Sequence, residues 1–163
     1  EWVTTGLSFG EVWNNYHDFM SEYFVSKSDA YNYVKEQVQL PWGGTREVSG
    51  FALNNGHYIV LDASNNTRTS SDNNRLKTFF NENNEWSVMY MGESYTIKYH
   101  FHTHPPTIGR CDPIGVSQKD LQLRNRFNKP IRILHKGIEW EVGSGNDYIN
   151  GKYHYSLTNK GIW

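Results

Sequence analysis

A chain of 163 residues and 19.0 kDa fits one domain with a single sizeable core, because two stable domains of this combined length would each be unusually small. With 16 Lys and Arg against 17 Asp and Glu the net charge is -1, which excludes a general electrostatic pull toward nucleic acid or an anionic membrane. No run approaches the roughly 18 apolar residues of a membrane span. Mean hydropathy is -0.74 and aromatic residues make up 15%, more core-forming bulk than a disordered segment carries, so a soluble folded domain is expected.

The single cysteine, Cys111, excludes an internal disulfide framework and any multi-cysteine zinc site. The chain begins at Glu1 with no Met and no basic-then-apolar signal segment. The expectation is a processed protein or a piece of a longer one, and localisation stays open.

In chain order, Val12, Tyr16, Phe19, Met20 and Tyr23 fall near helical spacing. A second helix is predicted after Ser28, with Ala30, Tyr33, Val34 and Val38 on one face and Pro41-Trp42-Gly43-Gly44 as its stop. From Thr45 the period becomes that of strands. Glu47 to Leu53 and His57 to Asp62 are predicted to pair around the turn Asn54-Asn55-Gly56. Residues 63 to 75 are polar and read as an exposed loop, and Leu76, Phe79 and Phe80 as a short helix behind it. Trp86 to Met91 and Ser94 to His104 read as a second strand pair. A short helix starts near Ser117, and Ile131 to His135, Ile138 to Val142 and Lys152 to Leu157 close the fold as an antiparallel set. Helices, then strands, one helix and strands again point to an α+β class: a mixed or antiparallel sheet flanked by helices. The chain divides into a helical part over 1–40 and a core over 45–125.

The segment Tyr95 to His104 carries the chemistry. Successive strand side chains alternate in direction, so parity places Tyr95, Ile97, Tyr99 and Phe101 in one apolar row and Lys98, His100, His102 and His104 in the other. Alternate positions lie about 7 Å apart, close enough for two imidazoles to reach one ion. Histidines on an exposed strand face are usually surface residues, and two supply only part of a ligand set. Downstream, Ser117-Gln118-Lys119-Asp120 offers a carboxylate in the first turn of a helix, which would complete three protein ligands and leave a fourth position to water. Ser followed by an acid three residues later is also an ordinary capping box, and both readings stand together.

Taken with Glu47 in Arg46-Glu47-Val48-Ser49-Gly50-Phe51, the elements His102-Thr103-His104-Pro105 and Ser117-Gln118-Lys119-Asp120 resemble the JAB/MPN (JAMM) metalloprotease family over about residues 45 to 125. The resemblance implies a cytidine deaminase-like architecture and a zinc-dependent hydrolase of peptide or isopeptide bonds. It implies zinc ligands His102, His104 and Asp120, with Glu47 as the acid that exchanges protons with the attacking water. Ser117 is implied as the hydroxyl beside the oxyanion. His100 and Asp112 are placed as neighbours of the ligands, with Asp112 and Cys111 ranked below Asp120 as ligands themselves. Two departures stand out: twelve residues (105 to 116) separate His104 from Ser117, an enlarged interval, and Val116 stands where Pro commonly precedes the Ser.

The opening Ser28-Asp29-Ala30-Tyr31 before the Arg-Glu-Val-Ser-Gly strand also resembles JAB-like domains at the ends of bacterial RHS polymorphic toxins. That likeness implies a secreted parent protein, a protein or peptide substrate in a rival cell and an immunity protein as partner. Two other readings are a catalytically inactive JAB-like binding scaffold and a metal-dependent nuclease. The near-neutral charge weighs against the latter and implies no nucleic-acid partner.

Overall fold

The computed structural model describes residues 20–68, 70–71, 76–105, 116–143 and 148–163. The N-terminal helical expectation over Val12 to Phe19 lies outside them, but Tyr23 does not: it sits in strand β1 (Glu22–Phe24), paired with Ile59. Helix α1 (Lys27–Val38) starts earlier than Ser28. Ser26 is its N-cap, in extended conformation, with its side chain accepting from Asp29 N–H, which satisfies an otherwise orphaned donor. The helix stops at Val38, and the chain turns through Leu40 to Gly44 as the Pro-Trp-Gly-Gly run requires.

Strands β2 (Ser49–Leu53) and β3 (Tyr58–Val60) flank the expected turn, closed by Gly56 N–H to the Leu53 carbonyl, with Gly56 at φ +85. Leu76, Phe79 and Phe80 do not make a helix. Residues Thr78–Phe80 form β4, paired with β5 (Trp86–Tyr90), and Phe80 leans on the Phe127 ring at 5.8 Å. Three apolar residues at offsets of three and four suit a helix, but cross-strand pairing outweighed that local period.

The organising element is β6 (Glu93–Thr103). Its first half pairs with β5 and its second half with β2 on one side and, in parallel, with β7 (Ile131–His135) on the other. Strand β8 (Ile138–Val142) and edge strand β11 (Leu157–Ile162) continue the sheet antiparallel. Lys152 to Leu157 is therefore not one strand: Lys152–Tyr153 (β10) pairs with Tyr148–Ile149 (β9) in a separate small hairpin. The described residues thus form a nine-stranded mixed sheet with two helices, an α+β fold. A parallel neighbour cannot be reached by a tight turn, and the chain between β6 and β7 carries helix α2 (Gln118–Phe127) as the crossover.

The simple parity of the histidine strand fails at one place. Ala52 pairs with Tyr99 but Leu53 pairs with Ile97, so Lys98 is the extra residue of a β-bulge. Ile97 consequently shares a core cluster with Phe51 and Trp86, and Phe51 lies against His100 with ring centroids 5.6 Å apart. Tyr99 and Phe101 face the other way, onto Ala30, Tyr31 and Val34 of α1. Both sheet faces are covered: α1 on the Tyr99 and Phe101 side, and Leu121 of α2 against Ile131, Ile133 and Val142 on the histidine side. His100 and His102 are therefore buried, not ordinary surface residues.

Under α1 lies a buried ionic knot. Glu139, 1% exposed, accepts from Lys27 at 2.7 Å, from Arg132 at 3.3 Å and from the Tyr31 hydroxyl, and the Arg132 guanidinium stacks over Tyr99. It bolts α1 to β7 and β8. Burial first, then the Tyr99 and Glu139 charges, hold the Tyr31 phenol far above its usual range.

Where β2, β3 and β6 pack most closely, only a glycine fits. A Cβ on Gly50 would run into the Ile59 carbonyl oxygen and the Phe101 ring. Gly50→Ala is expected to lower unfolding free energy by about 3 kcal/mol in urea titrations, as overpacking of a tight core does. A loss under about 0.5 kcal/mol would contradict this packing.

Candidate metal centre

The site forms where β6 ends. Thr103 and Leu134 are the last parallel pair of β6 and β7, and the His104 N–H still reaches the Leu134 carbonyl at 3.0 Å. Pro105 then offers no N–H to carry the ladder further and holds His104 in extended backbone. On the other side of β6, Ser49 pairs with His102, and the Thr103 N–H reaches the Val48 carbonyl at 2.9 Å. Continuing that register sets Glu47 opposite His104, the cross-strand position whose side chains stand closest.

Helix α2 supplies the third group of the cluster. Ser117 Oγ accepts from Asp120 N–H at 3.1 Å, and Asp120 Oδ2 accepts from Ser117 N–H at 3.1 Å, a reciprocal capping box. The box aims the Asp120 carboxylate at the strand. Its Oδ1 lies 3.3 Å from His102 Nε2 and its Oδ2 3.5 Å from His104 Nε2, while the two Nε2 atoms are 2.8 Å apart. The rings that alternate along the strand have thus tilted toward each other, with centroids 4.7 Å apart.

These three groups could hold a metal ion. Bonds of about 2.0–2.1 Å in a tetrahedron put neighbouring donors roughly 3.3 Å apart, and the observed separations bracket that value. Two imidazole nitrogens and one carboxylate, all converging on a single point, also suit the donor preferences of a first-row divalent ion.

The electrostatics follow from burial and proximity. Burial opposes a charge on His102, but the Asp120 hydrogen bond and charge, with help from Glu47, raise its pKa. Burial likewise works against the Asp120 carboxylate, yet His102, the Ser117 N–H and His104 hold it well below the usual range. Glu47 is pushed up to about 7, chiefly by burial and also by the Asp120 charge, with His102 and a hydrogen bond from Ser71 pulling the other way. Glu47 therefore lies within electrostatic reach of both ligands.

Five of the sequence-derived residues gather at or beside this end of β6. His102, His104 and Asp120 come together, Glu47 stands beside them, and Ser117 opens α2. The Ser117 oxygen itself is the cap, which occupies a lone pair and leaves its O–H proton for another acceptor. His100 is not one of the converging groups but lies beside them, fully buried between Phe51 and the His102 ring, whose centroid is 5.3 Å away. Asp112 and Cys111 lie outside the described residues.

Two neighbours were not singled out from the sequence. Ser71 bonds Glu47 from the far end of a loop whose Thr67 carbonyl also accepts the Glu47 N–H at 2.8 Å. His135 closes β7 beside His104. A lone serine in a polar loop and a lone histidine ending an apolar strand carry no spacing signal. No family model, curated protein or solved structure matches this chain.

Two outcomes are expected. Zinc at about a hundredfold over its dissociation constant should raise unfolding free energy by ~2.7 kcal/mol, and His104→Ala should abolish most of that gain. An equal gain in the variant would place the ion elsewhere. His100 is lowered to about 3 by burial and then by His102, so the metal-free native state excludes a proton that the unfolded chain takes up below about pH 6.5. Its contribution to stability is complete above that pH and is lost as pH falls. Between pH 6.5 and 4.5, His100→Gln should gain on the wild type by up to ~1.4 kcal/mol per pH unit, and a pH-independent difference would contradict this.

Proposed function

We propose that this chain is a zinc-dependent hydrolase of peptide or isopeptide bonds, built on the JAB/MPN plan, with His102, His104 and Asp120 as the zinc ligands. One observation carries the reading. Groups spread over some seventy positions of sequence come together at one end of β6: His102, His104 and Asp120 converge, Glu47 is coupled electrostatically to His102 and Asp120, and Ser117 caps the helix that carries Asp120, which supports a hydrolytic reading. Bound zinc would supply Lewis acidity toward a water molecule and a carbonyl oxygen.

The chain's own residues do the rest. The Glu47 carboxylate, already less acidic than an ordinary glutamate, accepts the proton of the attacking water. As the tetrahedral carbon collapses, the same proton passes from Glu47 to the departing amine, so the Glu47 carboxylate is regenerated and amide plus water become an amine and a carboxylic acid, which then loses its own proton to solvent. The Ser117 O–H, not consumed by the cap, donates to the oxygen on which negative charge develops. Loop residues Asn66, Thr67 and Ser71 hold Glu47 through its carbonyl, its N–H and its side chain in turn, which keeps the base from turning toward solvent.

The substrate is a protein or peptide, and we read the domain as the toxin part of a larger secreted bacterial protein, countered by an immunity protein. Its net charge of -1 offers no attraction to a nucleic acid backbone.

The test is a zinc-loaded wild type against a library of peptides and lysine-linked isopeptides, with plasmid DNA and RNA as parallel arms. Peptide cleavage is expected, and Glu47→Gln should keep its zinc while losing about 10²- to 10⁴-fold in rate. Zinc binding without cleavage of any library member would favour the inactive scaffold. Cleavage of nucleic acid alone would favour the nuclease.

A further inference from the structure

We infer that His135 is a positioning residue for the metal centre, holding the His104 backbone so that the His104 imidazole is aimed at the ion; this rests on the zinc reading above.

Two backbone hydrogen bonds hold His104 at the end of β6. Its N–H is taken by the Leu134 carbonyl at 3.0 Å, which belongs to the sheet ladder. Its C=O would ordinarily be the first group past the sheet with no ladder partner, since Pro105 cannot continue the strand pattern. His135 fills that gap, with Nδ1 2.7 Å from the His104 oxygen. A carbonyl only accepts, so the proton is on Nδ1 and the ring donates. Leu134 and His135 together therefore fix both backbone polar groups of His104, one on each peptide unit flanking its Cα, and with them the direction in which its side chain leaves.

The cost of this arrangement shows what it is for. His135 is 6% exposed, and its Nε2 has no hydrogen-bond partner among the described residues. A buried acceptor left unpaired costs about 1–3 kcal/mol, which an apolar side chain at the end of Ile131-Arg132-Ile133-Leu134 would avoid. The return is at Nδ1. His135 is not a ligand itself: the converging donors are those of His102, His104 and Asp120. It acts through His104, as the hydrogen-bonded neighbours of metal ligands generally act, where their loss weakens metal binding by about 10- to 100-fold.

The geometry separates two near-isosteric replacements. The amide nitrogen of Asn can occupy the place of Nδ1, whereas that of Gln reaches the place of Nε2. Zinc affinity by chelator competition, and the visible absorption of the cobalt-substituted protein, should be measured on wild type, His135→Asn, His135→Gln and His135→Leu. Asn is expected to keep zinc affinity within about threefold and the cobalt spectrum unchanged. Gln and Leu should lose about 10- to 100-fold and show an altered cobalt spectrum. The Asn and Gln pair decides the matter if Leu does not fold. Equal affinities and spectra across Asn and Gln, whether both retained or both lost, would overturn the role of Nδ1. A wild type that fails to bind zinc would instead overturn the reading of the metal centre.

Discussion

The parallel pairing of β6 with β7 is the constraint from which the rest of the site follows. Two parallel neighbours must be joined by a chain that returns along the length of the sheet, and here that chain includes α2. A helix entered after the end of β6 begins near that end, so its first turn faces the last side chains of the strand. The N-terminal turn of a helix favours a carboxylate, because unpaired N–H groups and the helix dipole both attract negative charge. Asp120 is that carboxylate, and His102 and His104 are those last side chains. The same topology places ligand sites at the carboxyl ends of parallel strands in other α/β sheets.

Charge then makes the cluster coherent. Two imidazoles pressed together would repel if both were protonated, and a carboxylate buried among apolar strands would be costly alone. Set against each other, Asp120 stays ionised and His102 gains affinity for a cation, whether a proton or a metal. A metal bound there would have to displace any proton on His102. On the opposite sheet face the buried Glu139 carboxylate is matched by cations of the chain itself, Lys27 and Arg132.

What was legible in the sequence was what depends on local pattern. Strands β7 and β8, the stop after α1 and the capping box at Ser117 follow from punctuation and period over a few residues. The pairing of His102 with His104 and the reach of Asp120 followed from spacing as well. The opposite faces of Tyr99 and Phe101 and of the three histidines followed too, but the placing of Ile97 did not, because the bulge at Lys98 arises from how β2 and β6 register and leaves no mark in either strand alone. The burial of His100 was not legible either, because it depends on which elements cover that face of the sheet. Strand β4 was hidden by three residues whose spacing suits a helix, and His135 by having no histidine near it in sequence. Its significance appears only when the sheet brings it to His104.

The most direct measurement is a crystal structure of the zinc-soaked protein with anomalous data collected across the zinc edge. The expected result is one peak about 2.0–2.1 Å from His102 Nε2, His104 Nε2 and an Asp120 carboxylate oxygen, with the Glu47 carboxylate facing the open fourth position. A peak ligated by other residues, or Glu47 turned away from that position, would contradict the assignment of this site as a hydrolytic metal centre.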